Sequence, residues 1–396
     1  MLVRRAVQLT IILALALSAI GLSQTAQAPD PQRQTALSLE QQGRNAEAET
    51  AWRTYLKAHP SNPEPYAHLG LLEARQEHYK EAVPLYRKAL EIGPDIPSVR
   101  LNLGLALFKA GDLKESIPEF TALLKSQPDN QQLHTLIGMA YYGMASYADA
   151  VPHLKQAAAH DSQSLTLRLA LAHSCLWSKQ YQCVLDVYRE ILDLNPDSAE
   201  ADMLAGEALD EMKDNEGSTK MFRAAVKANP KEPNAHFGLG YLLWTQRKYT
   251  EAVSEFQAEL ANDPDHVQAR LYLADADLQL NQLDDALPLL EKVEQQNASI
   301  PLVHLDLGII YNDAGRNDDA LRELLAAEKL TPDDVNIHWR LGRVYRSMGK
   351  VNEAKAEFDK AGKLTKTADD DLFKKIANGH PRPPEDQQTQ TPDPPQ

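Results

Sequence analysis

Four histidines, His134, His236, His304 and His338, stand 102, 68 and 34 residues apart, and every interval is a multiple of 34. Imidazole is the commonest metal ligand among side chains, so a row of four in one phase first raises the question of a shared ion. Gly217-Ser218-Thr219-Lys220 carries the end of a phosphate-binding loop but lacks its earlier glycine, and it falls at the start of a helix. The signatures His-Glu-x-x-His, Cys-x-x-Cys and Gly-x-Ser-x-Gly do not occur. No catalytic residue, cofactor site or metal site is therefore expected, provided the histidine row has a structural reason.

That reason lies in the spacing. Pro84, Pro118, Pro152 and Pro288 sit inside amphipathic stretches at the same period of 34, although a proline inside a helix removes one hydrogen bond and clashes with the preceding turn. Written in rows of 34 from Pro29, the chain gives ten rows without insertion or deletion. Column eight reads Ala36, Gly70, Gly104, Gly138, Ala172, Gly206, Gly240, Ala274, Gly308 and Gly342, all small, which predicts a close approach of a second helix. Column twenty is small in nine of ten rows, and column twenty-four is large throughout, from Trp52 and Tyr86 to Phe358. The large column supplies the volume that the small ones leave open. Prolines recur in column thirty-two and close the units. The column-twenty-two prolines then mark the start of the second helix in units two, three, four and eight, which predicts a chain break near His78 to Lys80. The four histidines occupy column four of different units. Equivalent positions on packed helix pairs are about 10 Å apart, whereas a zinc ligand sits about 2 Å from its metal. They read as packed or half-exposed side chains.

A 34-residue helix-turn-helix unit with Leu-Gly at columns seven and eight (Leu69-Gly70, Leu103-Gly104, Leu239-Gly240, Leu307-Gly308, Leu341-Gly342), alanine at twenty, an aromatic at twenty-four and proline at thirty-two resembles the tetratricopeptide repeat family. The resemblance implies an all-α, right-handed superhelical α-solenoid of about ten repeats over residues 29–366. Departures are the histidines in column four, Glu73 and Asp277 in the usually apolar column eleven, and Ser162, Ala298 and Lys366 in place of the closing proline. It also implies a concave groove lined by the first helices, whose columns two, five, six, nine, twelve and thirteen hold an extended peptide or partner helix. Carried onto this chain, those columns supply Tyr142, His173, Trp177, Phe237, Tyr241 and Trp244, with Glu200, Glu207, Asp210 and Glu211 between them. Such a groove suits a basic or aromatic segment; the alternative is that the rings merely seal one unit against the next. Arg340, Arg343 and Arg346 share one face beside Trp339 and resemble anion-contacting clamps, although Asp306 and Asp313 of the preceding unit are simpler partners for them.

Composition frames this reading. Hydrophobic residues at 43% and charged residues at 24% describe folded material, and a net charge of −15 leaves no basic stripe for nucleic acid. Residues 1–28 run Arg4-Arg5, an apolar stretch from Ala6 to Leu22, then small polar residues, the order of a signal peptide or an uncleaved N-terminal anchor. In an exported chain the pair Cys175 and Cys183 invites a disulfide; the other reading is two buried thiols. Residues 367–379 are expected to form a capping helix and 380–396 a disordered Pro/Gln-rich tail. The expected protein is an exported scaffold without enzyme activity that binds a protein or peptide, as an assembly or accessory factor of an envelope complex. It would be periplasmic in a Gram-negative source, and otherwise secreted or anchored in the membrane through its N-terminal segment alone. The alternative is an accessory subunit of a polysaccharide synthesis or export machine, with a groove that contacts glycan.

Overall fold

The computed structural model describes residues 30–379, with side chains as far as Thr367. The expected leader and tail, 1–28 and 380–396, lie outside the described residues. Among the described residues all regular structure is helical, and the helices form ten antiparallel pairs in two compact units. The first unit, ending at Asn229, holds six pairs: α1 (Pro31–Gln41) and α2 (Asn45–Ala58), α3 (Pro63–Arg75) and α4 (Tyr79–Ile92), α5 (Pro97–Ala110) and α6 (Leu113–Leu124), α7 (Gln131–Gly143) and α8 (Tyr147–His160), α9 (Leu165–Trp177) and α10 (Tyr181–Leu194), α11 (Ala199–Glu211) and α12 (Asn215–Ala228). The second, from Pro230, holds four: α13 (Ala235–Thr245) and α14 (Tyr249–Asn262), α15 (Val267–Gln279) and α16 (Leu283–Gln296), α17 (Pro301–Asp313) and α18 (Asn317–Leu330), α19 (Val335–Ser347) and α20 (Val351–Gly379). Residues 367–379 are helical but continue α20 without a break, rather than forming a separate capping helix.

Local chemistry starts these helices. Asn62, Asn130, Ser164, Ser198 and Asp334 accept hydrogen bonds from backbone N–H groups of the first turn, and Pro63, Pro97 and Pro301 take first-turn positions where no N–H partner is lost. The turn inside each pair is also uniform. Gly43, Glu77, Gly111, Ala145, Lys179, Lys213, Arg247, Asn281, Gly315 and Gly349, one per unit at column fifteen, all have positive φ. At Glu77 the N–H of Glu77 donates to Ala74 O at 3.1 Å and that of His78 to Glu73 O at 3.0 Å, closing the first helix with a left-handed residue. Six of these ten residues carry a side chain, at about 1–2 kcal/mol each relative to a right-handed conformation. The break before the Pro84 helix is therefore at Gln76 to His78, and α4 begins at Tyr79, so Pro84 lies in its second turn and leaves Lys80 O without the usual donor.

Inside each pair, column eight lies against column twenty-four. A methyl group added at Gly104 would lie 2.5 Å from the Phe120 ring, at Gly240 2.7 Å from Phe256, and at Gly342 2.6 Å from Phe358. Phe120, Phe256, Trp52 and Tyr86 are almost fully buried as a result. The small column thus receives a large side chain from the facing helix. The helices are close enough for a short side chain to cross between them, since the Ser218 hydroxyl in column twenty donates to Gly206 O at 2.8 Å. Two substitutions separate these constraints: Gly104→Ala is expected to destabilise by about 1–3 kcal/mol through overpacking, and Ala145→Gly to stabilise by roughly 0.5–1 kcal/mol through relief of its left-handed backbone, both read by denaturant unfolding.

Candidate functional site

In the first unit, α7, α9 and α11 bring several expected residues together. Tyr142, near the end of α7, has its ring 6.4 Å from that of His173, and His173 lies 4.9 Å from Trp177 one turn along α9. Tyr147, which opens α8 and was not singled out by the column rule, completes the cluster at 4.5 Å from Trp177 and 6.0 Å from Tyr142. Trp177 is nevertheless 45% exposed. The next first helix supplies the acid: Glu200 Oε1 lies 2.7 Å from His173 Nε2, while His173 Nδ1 is buried and has no hydrogen-bond partner. Burial pushes the Tyr142 hydroxyl up to about 12. Crowding by protein atoms raises Glu207 above the usual carboxylate range, and the nearby His173 opposes that shift; its side chain is still open to solvent. Asp210 is half-buried on the same helix. Behind this face, a disulfide joins Cys175 to Cys183 and ties α9 to α10.

The second unit treats its rings differently. Phe237, Tyr241 and Trp244 on α13 pack with Tyr272 of α15, whose ring is 5.2 Å from Tyr241 and 5.1 Å from Trp244. The indole N–H of Trp244 donates to Asp275. These half-buried rings join α13 to α15, so Trp244 is committed inside the protein where Trp177 is not. Asp306 on α17 is only 2% exposed and its Oδ2 has no partner. Burial, with Asp275 adding, holds its carboxyl well above the usual range, while Arg340 acts the other way. The expected pairing of the arginines with Asp306 and Asp313 is not formed: no ion pair within 4 Å links these groups among the described residues. Arg340 is half-buried, Arg343 exposed, and Arg346 lies 5.8 Å from the centre of the Phe358 ring, which Trp339, 52% exposed, also contacts. Aromatic packing on Phe358 thus gathers Trp339 and Arg346.

Column four has its own arrangement. His304 meets Glu323 Oε2 with Nδ1 at 2.8 Å and the Ala298 carbonyl with Nε2 at 2.9 Å. His338 does the same with Glu357 at 2.6 Å and Pro332 O at 2.7 Å, and Arg100 with Glu119 at 2.7 Å and Pro94 O at 3.0 Å. His236 pairs with Glu255 at 2.6 Å. Each side chain reaches a column-twenty-three carboxylate on its partner helix, and in three cases a carbonyl at the close of the preceding unit. Three of the four histidines thus bridge to an acid nineteen residues downstream, which their interval alone did not reveal; His134 instead meets His153 Nδ1 at 3.0 Å in that position and the Pro128 carbonyl at 3.0 Å.

Models of the tetratricopeptide repeat match residues 33–97, 210–267 and 238–300, residues 73–140 and residues 335–366, and a model described as TPR repeat matches 308–349. No curated protein matches the chain. Among solved structures, YrrB, described as a TPR protein with an unusual peptide-binding site, is 19% identical and aligns over 45% of this chain and 91% of its own with a TM-score of 0.40. MamA residues 41 to end from Desulfovibrio magneticus RS-1 is 20% identical over 43% and 96%, with a TM-score of 0.40. The Cut9-Hcn1 hetero-tetramer of APC/C is 11% identical over 85% and 87%, with a TM-score of 0.41. At such scores these likenesses add nothing to the family matches.

Column eleven yields a prediction. Asp277 is buried in α15, and burial, with Asp285 adding, pushes its carboxyl up to about 6. The folded protein holds this proton to higher pH than the unfolded chain does, so the group favours folding at low pH and that contribution is lost as pH rises through about 6. Asp277→Asn is expected to be more stable than the parent at pH 7 by about 1–3 kcal/mol, a gain that shrinks towards pH 4. Denaturant melts at the two pH values measure it.

Proposed function

We propose a function from the premise that the chain belongs to the tetratricopeptide repeat family: it is a scaffold without chemistry of its own, and the first-helix face around Trp177 holds a protein or extended peptide. The observation that carries this is the setting of Trp177. A large ring, nearly half exposed, rests on Tyr147 and His173, so binding would fix few additional rotamers. Rigid aromatic rings of this kind are the usual anchors of interfaces. Glu200, Glu207 and Asp210 favour a segment that is basic or aromatic.

Within that reading, the chain is exported and serves as an assembly or accessory factor of an envelope complex, periplasmic in a Gram-negative source and otherwise secreted or anchored by its N-terminal segment. The order of residues 1–28 supports export, and a disulfide is at home in an oxidising compartment. No helix among the described residues is long and apolar enough to cross a membrane.

Peptides selected on the intact chain from a random library are expected to lose at least about tenfold in affinity to Trp177→Ala, the cost of one interface anchor, with unchanged melting. Undiminished capture by a folded Trp177→Ala variant would sink the reading. Binding confined to an oligosaccharide array would transfer the face to a polysaccharide synthesis or export machine.

A further inference from the structure

The column-four bridge takes a special form in the last two pairs. At each, a carboxylate from the preceding unit joins the histidine and its column-twenty-three partner: Glu294 with His304 and Glu323, and Glu328 with His338 and Glu357. In each trio one nitrogen or oxygen per residue lies within 4.8 Å of the others. The two trios are the same three positions, 34 residues apart.

They differ in one respect. In the second trio the Lys360 ammonium bridges the carboxylates, 3.2 Å from Glu328 Oε1 and 2.9 Å from Glu357 Oε1. The protein thus places a cation between these two acids. The residue equivalent to Lys360 in the first trio is Ala326, half-buried and without charge. Arg322 donates to Glu323 Oε1 at 2.9 Å from the other side, leaving Oε2 to face His304. Glu294, half-buried, makes no hydrogen bond or ion pair among those described. The His304 ring is oriented as metal-ligating imidazoles usually are, with Nε2 held by a backbone carbonyl and Nδ1 directed at the carboxylates.

We propose that Glu294, His304 and Glu323 bind one divalent transition-metal ion, at the place where the neighbouring trio holds the Lys360 ammonium. One imidazole nitrogen and two carboxylate oxygens suit Zn2+ or a similar ion better than Mg2+ or Ca2+, which take oxygen alone. Three protein ligands leave a further position for water or for a group from a partner. The ion would link α16, α17 and α18, replacing a hydrogen-bonded contact by a coordinated one. This site is independent of the face around Trp177.

The test is a calorimetric titration of the chelator-treated full chain with Zn2+ near neutral pH. One tight equivalent is expected. Glu294→Gln removes a ligand without touching the His304–Glu323 contact and is expected to weaken that equivalent at least about tenfold. Ala326→Lys copies the neighbouring trio and is expected to abolish it, whereas Lys360→Ala is expected to create a second. Melting in chelator establishes that each variant is folded. The proposal is overturned if no tight equivalent appears, if it survives intact in Glu294→Gln or in folded Ala326→Lys, or if folded Lys360→Ala gains none.

Discussion

The fit of one missing side chain to one large side chain sets the geometry of seven of the ten pairs, and alanine takes the small position in the other three. Where column eight is glycine, the facing ring or branched chain of column twenty-four occupies the space a methyl group would fill. That fit brings the two helices close enough for the short Ser218 hydroxyl of one to reach the Gly206 carbonyl of the other. Because the repeats keep one phase, the first helices within each compact unit present the same columns in succession. The face proposed for a partner rests on this packing rather than on any dedicated loop.

Polar contacts then fasten the pairs. Arg100, His236, His304 and His338 in column four reach across to an acid of the partner helix and, at Arg100, His304 and His338, also back to a carbonyl of the preceding unit. Buried polar groups are tolerated where both ends find partners. Asp277 and Asp306, buried without such partners, show the other outcome, since burial drives both carboxyls towards their protonated forms. Aromatic residues follow a similar division. Trp244 spends its N–H on Asp275, while Trp177 keeps an open face on a fixed base.

Much of this was legible in the sequence because the repeat converts residue type into position. Gly104 and Phe120 announced their contact by column alone, and the second-helix prolines located the turn to within two residues, since Gln76 to His78 breaks the chain just before Tyr79. The left-handed residue at column fifteen was hidden because Glu77, Ala145 and Lys179 are not residues that advertise positive φ. The column-four bridge was hidden for another reason: comparison with an aromatic column made the histidines look like departures, while the acids of His236, His304 and His338 lay nineteen residues away in a different helix. Column rules also treated Trp177 and Trp244 alike. Only the neighbours, Tyr147 for one and Asp275 for the other, distinguish an open ring from a committed one. The division into two compact units left no mark on the even phase of 34.

The central claim, that a partner lies along the first helices around Trp177, is tested most directly by site-specific photo-crosslinking of the intact chain in an envelope extract. A photoreactive residue at position 177 is compared with one at Arg189, exposed on the second helix α10. The account predicts a discrete crosslinked product from position 177 and none from 189. A product from 189 alone, or the same products from both, would contradict it.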